Sequence, residues 1–412
     1  MTEAAINTSG RDPVAEPMPV RAADRLFSLD VVRGFAVLGI LAVNAITFAM
    51  PEPVMMNPSL QPGGLEGEAA AAWQAMHVFF QDKMRTLFSM LFGASIFLIG
   101  GERSELTRGK LLRKRLFWLG LFGVAHGLFF WFGDILLLYA LTGLVVLLVR
   151  SWSARRLLIV GVTLNLVLSA LYVGLMALMR MAPPEAMESL GWETTPEQLS
   201  VMIAAYQGNA IETTLTVMGN WASVVPFMAV VLIPATAALM MIGMGLFKAG
   251  FLAGRSPVWV YGLFIVLGAG SLWLIHGETA ALIAAGFPLV ETMMRPANTF
   301  LSPLVSLAYA SALILLARFG LKLILTPLAR AGQMAFTNYL SQTLIMTTIF
   351  YGGRGLGYFG QMGWPDLWLV VIGVWVVQLI WSPLWLSRFT MGPLEWLWRR
   401  LTYGKGVALK RA

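Results

Sequence analysis

A chain of 412 residues that is 58% apolar and only 12% charged, with a mean hydropathy of +0.73, lacks the polar side chains to cover a globular surface. That balance excludes a water-soluble enzyme and points to an all-α integral membrane protein. The net charge of +8 does not imply nucleic acid, because the basic residues sort by membrane side, and zero cysteines with three scattered histidines (His77, His126, His276) argue against a disulfide, a thiolate nucleophile or a metal site.

Residues 1–24 are polar, contain Pro13, Pro17 and Pro19, and show no periodicity, so they are expected to form a disordered cytoplasmic tail. No small-residue cleavage pattern closes the apolar run that follows, which argues against a signal peptide. Residues 25–404 read as a single membrane domain and 405–412 as a short basic tail. Ten apolar segments are expected as spans, at roughly 31–50, 84–101, 114–131, 134–150, 156–180, 222–247, 257–276, 298–317, 331–351 and 367–386. Connections 51–83 and 181–221 are expected to be ordered caps over one face, the second carrying Glu185, Glu188, Glu193, Glu197 and Glu212. Residues 391–406, rich in Trp and Arg, suit a short interfacial helix.

With the N-terminus inside, the alternation puts all but five of the 29 basic residues on the cytoplasmic side. The exceptions are Lys83, Arg85, Arg180, Arg295 and Arg354. Ten spans therefore put both termini inside. Topology alone accounts for the basic loop around Arg103, Arg108, Lys110, Arg113, Lys114 and Arg115, although the same residues would also attract an anionic cytosolic ligand.

Several spans carry polar groups that an anchor does not need. In RLFSLDVVRGFAVLGILAVNAITFAM (25–50), Arg33 and Asn44 lie eleven residues apart, about three turns, and so share a face. Asp30 is three residues before Arg33 and is explained as a first-turn acid. In AHGLFFWFGDILLLYAL, Asp134 follows His126 by eight residues across a turn at Gly133. The pair is either a general base with its orienting acid or a satisfied core histidine beside a helix cap. In QDKMRTLFSMLFGAS, Asp82, Arg85 and Ser89 fall on one helical face, either as an interfacial ion pair marking the outer end of the span, or with Lys83 and Arg85 binding an anionic head group or polarising an acyl carbonyl. In AGQMAFTNYLSQTLIMTTIFYG, Gln333, Thr337 and Ser341 repeat every four residues, as do Asn338 and Gln342; such a stripe makes interhelical hydrogen bonds or walls a polar cavity. Glu395 and Arg399 form a favourable i, i+4 pair that is read as structural, locking the last helix beneath the first span near Asp30 and Arg33. Gly355, Gly357 and Gly360 spell GxGxxG without a preceding strand and are set aside.

SLDVVRGFAVLGILAVN, KxRTLFSxLFG, HGLFFWFGDILLLYAL, TNYLSQ with IFYG, and GPLEWLWRRLTYG together resemble the bacterial YeiB family of membrane proteins. More distantly, the first string is similar to transmembrane acyltransferases of the heparan-α-glucosaminide N-acetyltransferase group and the bacterial O-acyltransferases. The latter place a His where this chain, like the former group, has Asn44. That resemblance implies an acyl-CoA co-substrate on the cytosolic side and a glycan or lipid acceptor on the outer side. His126 would be the base or a transiently acylated nucleophile, Asp134 its orienting group, and Asn44 with Arg85 the oxyanion donors. Arg33 would position the donor, and Arg85, Ser89, Asn338, Gln342 and Tyr351 complete the substrate-binding candidates. No bound cofactor is implied; membrane lipids are expected neighbours, self-association is open, and the bacterial inner membrane is the expected location. The alternative is a non-enzymatic transporter or a lipid- or quinone-binding protein using the same polar residues.

Overall fold

The computed structural model describes residues 26–183, 194–404 and 406–411. The expected N-terminal tail, and Glu185, Glu188 and Glu193 of the acidic connection, lie outside the described residues. Among the described residues the fold is all-helical, with one isolated bridge between Phe389 and Lys410. The principal helices are α1 (Phe27–Ala49), α2 (Gly67–Phe79), α3 (Lys83–Gly100), α4 (Leu106–Phe129), α5 (Leu136–Leu147), α6 (Ala154–Met179), α7 (Pro196–Gln207), α8 (Ala210–Phe227) and α9 (Ile233–Lys248). They continue as α10 (Val258–Ala284), α11 (Pro296–Arg318), α12 (Lys322–Gln333), α13 (Ala335–Phe350), α14 (Trp364–Arg388) and α15 (Pro393–Tyr403).

Seven helical stretches among the described residues are long and apolar enough to cross a membrane, which makes this a multi-pass membrane protein. Seven of the ten expected spans fall within them. The other three, at 114–131, 134–150 and 331–351, fall on helices that do not reach this standard, so helix length and composition bear out seven of the ten and leave the count of ten unconfirmed. Each shortfall has a physical cause. α4 starts with Arg108, Lys110, Arg113, Lys114 and Arg115, and α5 has 12 residues. The expected span 331–351 is broken at Met334, which separates amphipathic α12 from the 16-residue α13. In the opposite direction, the segment expected to start at 222 is helical from Ala210, and α8 runs into α9 through a π-helical turn at Met228–Leu232. Pro226 and Pro234 flank that turn; each lacks an N–H, which favours the wider hydrogen-bonding pattern.

Burial sorts the helices from centre to rim. The apolar window of α1 is 78% buried, against 11% for that of α6. α1 is therefore the central post, while α6, α10 and α14 present Leu, Val and Ile side chains outward, as lipid-facing helices must. Contacts between helices are close because small residues sit at the crossings. A Cβ on Gly34 of α1 would lie 1.9 Å from the Leu328 carbonyl oxygen, and one on Gly332 of α12 the same distance from the Asp30 carbonyl oxygen. Gly93 of α3 and Gly243 of α9 make a matching pair, each 2.0 Å from a backbone oxygen across the crossing.

Polar contacts between loops keep two faces apart. On the face carrying most of the basic residues, Lys248 pairs with Glu102 at 3.3 Å and Arg318 donates to the Ser256 carbonyl. On the other, Arg180 pairs with Glu291 at 2.9 Å and Arg354 donates to Thr214. There Lys83, fully buried, donates to Asn298 Oδ1 and to the His77 carbonyl. Each of these contacts joins loops that the charge pattern assigns to the same side. α15, amphipathic and with Pro393 at its first turn, lies at the basic face against α4 and α13.

The α1–α12 crossing gives a direct test. Gly332→Ala is expected to lower stability by about 2 kcal/mol or more through overpacking. Gly262→Ala, whose added methyl meets nothing within 4 Å, is expected to be neutral or slightly stabilising. Thermal unfolding in detergent micelles measures both, and equal midpoints for the two variants would contradict the crossing.

Candidate functional site

A cavity of about 300 Å³ opens toward the basic face between α1, α3, α4, α5, α13 and α15. Its mouth is polar. Arg33, Arg115 and Arg399 supply three guanidinium groups, and Asp30, Gln333 and Glu395 supply acceptors. Deeper in, the walls are apolar: Phe88, Phe92, Ile96, Leu116 and Leu119 lead to the rings of Tyr139 and Tyr339. A polar mouth over an apolar shaft suits an amphiphile better than a small solute.

Local sequence holds each mouth residue in place. Asp30 accepts from Arg33 Nη1 at 2.9 Å and from Gln333 Nε2 at 3.1 Å, which joins α1 to the end of α12. Arg115, nearly buried, stacks its guanidinium 3.9 Å from the Trp398 ring centre, while the Trp398 indole donates to the Arg115 carbonyl. Of the six basic residues in the 103–115 run, Arg115 is the one that reaches the cavity. Glu395 turns its carboxylate onto the N-terminus of α13, accepting from Phe336 N–H at 2.8 Å, Thr337 N–H at 3.1 Å and the Thr337 hydroxyl. That is where the helix breaks at Met334, and the acid satisfies the orphan donors of the new helix start. Burial lifts the Glu395 carboxyl above the usual glutamate range, against those donors, which pull it down.

Beyond the inner end of the cavity lies a buried polar relay. His126, in the last turn of α4, has Nδ1 2.9 Å from Asp134 Oδ1 and Nε2 2.9 Å from Thr343 Oγ1 of α13. The other Asp134 oxygen accepts the Leu137 N–H at 2.8 Å, capping the start of α5. Asp134 thus orients the histidine and caps the helix at once. Gly123 makes room for this, since a Cβ there would lie 2.3 Å from the Leu137 nitrogen and 2.8 Å from Asp134 Oδ2. The Tyr339 ring lines the cavity on one side and sits 5.5 Å from the His126 ring on the other. His126 itself, 3% exposed, does not line the cavity.

The remaining candidates divide into two groups. Asn44 is half-buried and makes no hydrogen bond to His126; one turn on, Phe48 stacks on Trp131 at 4.3 Å, and Trp131 lies 6.2 Å from His126. Ser89 donates to the Arg85 carbonyl or to Tyr139 and is fully buried behind the cavity wall. The Arg85 side chain pairs with Asp82 at 3.6 Å, away from the cavity, and its Nη1 is buried with no hydrogen-bond partner among the described residues. Asn338 and Gln342 line no part of the cavity. Asn338 bonds the Ala331 carbonyl, Ser382 and Trp381, and Gln342 bonds the Val37 carbonyl and Gln378, so this stripe ties α1, α13 and α14 together. Tyr351 is buried against Tyr206, 4.9 Å between ring centres. Arg399 lines the cavity mouth together with Glu395.

Reading the sequence did not pick out Thr343, Tyr139 or Tyr339 as functional. The one signal for Thr343 is its spacing, one turn beyond Tyr339 of the TNYLSQ string.

A protein from Escherichia coli named Uncharacterized protein YeiB is 33% identical over 92% of this chain and 96% of its own length. This chain belongs to the YeiB family. A Bacillus subtilis relative, Uncharacterized protein YxaH, is 30% identical over 93% of the chain and 96% of its own length. The family model described as "Protein of unknown function (DUF418)" matches residues 245–405, the segment that supplies α10 to α15 and so one wall of the cavity of this YeiB-family chain. No solved structure matches it.

Glu395 generates a pH prediction. With its folded-state value raised, the folded protein binds more protons than the unfolded chain between the two values. The stability it contributes is present below the ordinary glutamate range and is lost as pH rises through the folded value. Wild type should therefore lose unfolding midpoint across that window relative to Glu395→Gln. Parallel melting profiles for the two proteins would refute this assignment.

Proposed function

We propose that this YeiB-family protein is a transmembrane acyltransferase of the bacterial inner membrane, with the basic face cytoplasmic. Acyl-CoA would be the donor, and a hydroxyl or amine, on a glycan or lipid, the acceptor. The observation that carries the reading is the succession from cationic mouth to apolar shaft to a buried His–Asp pair one ring beyond the shaft's end. Arg33, Arg115 and Arg399 suit the phosphates of the donor, since guanidinium groups bind phosphate oxygens in pairs. The shaft suits the pantetheine arm and acyl chain. His126, oriented by Asp134, would take the proton of the attacking group, and movement of the Tyr339 ring would join cavity and base.

A second reading, binding or carriage of an anionic amphiphile without chemistry, is favoured by one observation. Both His126 ring nitrogens are engaged, and the residue lies outside the cavity lining.

The two readings part on turnover. Purified protein incubated with acetyl- or long-chain acyl-CoA and bacterial lipid extract is expected to release free CoA. Release should fall about 10²–10⁴-fold in His126→Ala, the range for loss of a general base. Arg115→Gln should instead raise KM. Saturable acyl-CoA binding with no CoA release from wild type would favour the carrier, and absence of both would overturn the two readings.

A further inference from the structure

The geometry points to Thr343 as the residue that carries the acyl group between donor and acceptor, with His126 as its base rather than as the acyl carrier. This rests on the acyltransferase reading. Thr343, His126 and Asp134 form a continuous hydroxyl–imidazole–carboxylate chain with 2.9 Å at both links. The polarity of that chain follows from its ends. Asp134 as a carboxylate can only accept, so Nδ1 carries the ring proton of a neutral His126. Nε2 is then an acceptor, and the Thr343 hydroxyl donates to it. A hydroxyl donating to an imidazole that in turn donates to a carboxylate is the arrangement that activates a nucleophilic hydroxyl, and it recurs on unrelated folds. His126 is poorly placed to be acylated itself, because neither of its nitrogens is free.

Position supports the same assignment. Thr343 lies one turn beyond Tyr339 on α13, so both share a face, and Tyr339 lines the cavity while packing on the His126 ring. Rotation of that one ring would join shaft and hydroxyl. The relay is almost fully buried, with Thr343 at 1% and His126 at 3% exposure, which keeps water from an ester formed there. An ester sheltered from water can wait for an acceptor arriving from the other side.

The chemistry balances in two halves. Thr343 Oγ1 attacks the thioester carbonyl carbon and its proton passes to His126 Nε2, while Asp134 holds the Nδ1–H of the resulting imidazolium. The carbon–sulfur bond breaks, and the CoA thiolate leaves with that proton as CoA–SH. The acceptor O–H or N–H then attacks the Thr343 ester, gives its proton to Nε2, and Thr343 leaves as an alkoxide that takes the proton back.

The test measures both CoA release and covalent mass. Wild type given acyl-CoA without acceptor should gain one acyl group on the peptide containing Thr343, with one equivalent of CoA released in a burst. Thr343→Val, close to isosteric, should lose the adduct and about 10³-fold or more of the release rate. Thr343→Ser should restore both, which separates loss of the nucleophile from loss of the interhelical bond or of the fold. CoA release by Thr343→Val at the wild-type rate, or an acyl group recovered on His126, would sink the assignment while leaving the acyltransferase reading intact. No release from wild type would end both.

Discussion

The cavity depends on how closely α1 and α12 approach at Gly34 and Gly332. With no side chain at either position, the backbone of each helix touches the other, and Asp30 lands within hydrogen-bond reach of Gln333. That contact ends α12 beside the first turn of α1 and leaves the next helix to begin from buried, unpaired N–H groups. Glu395 of α15 meets them. One close crossing therefore leads to a helix break, a buried acid to cap it, and an arrangement that brings three guanidinium groups around one opening.

The membrane explains why so much of the polar inventory is structural. A buried amide or hydroxyl in hydrocarbon must find a partner within the protein. Asn338, Gln342, Gln378 and Ser382 do so with each other and with backbone carbonyls, forming a network across α1, α13 and α14. The same requirement operates at Lys83, whose amine is held by Asn298 and the His77 carbonyl far from the cavity. Against that background, the Asp134–His126–Thr343 chain differs in kind: it contains a titratable base with an orienting acid, and it stands one aromatic ring from a cavity.

How legible the site was depends on the residue. Asp134 near His126 could be anticipated because eight residues across a turn allow the contact, and Arg33 because a charge inside a span needs a reason. Arg115 was one of six basic residues with nothing in the spacing to set it apart; its stacking on Trp398, 283 positions away, distinguishes it. Asn338 and Gln342 were visible as a polar stripe, but periodicity shows only that they share a face. Which neighbour that face meets is a property of the packed bundle. Thr343 could not be separated from Thr337, Thr347 or Thr348 on the same helix by residue type alone.

Composition and hydropathy by themselves determined the class of this protein, an all-helical chain in a membrane, because transfer of apolar side chains is additive along a sequence and needs no partner. Family membership was also readable, since it resides in strings. The break at Met334, the cavity and the three-residue relay were decided only by tertiary structure. Each depends on contacts between residues tens or hundreds of positions apart, and a one-dimensional pattern records what a residue can bond to, not which partner the fold brings within 3 Å.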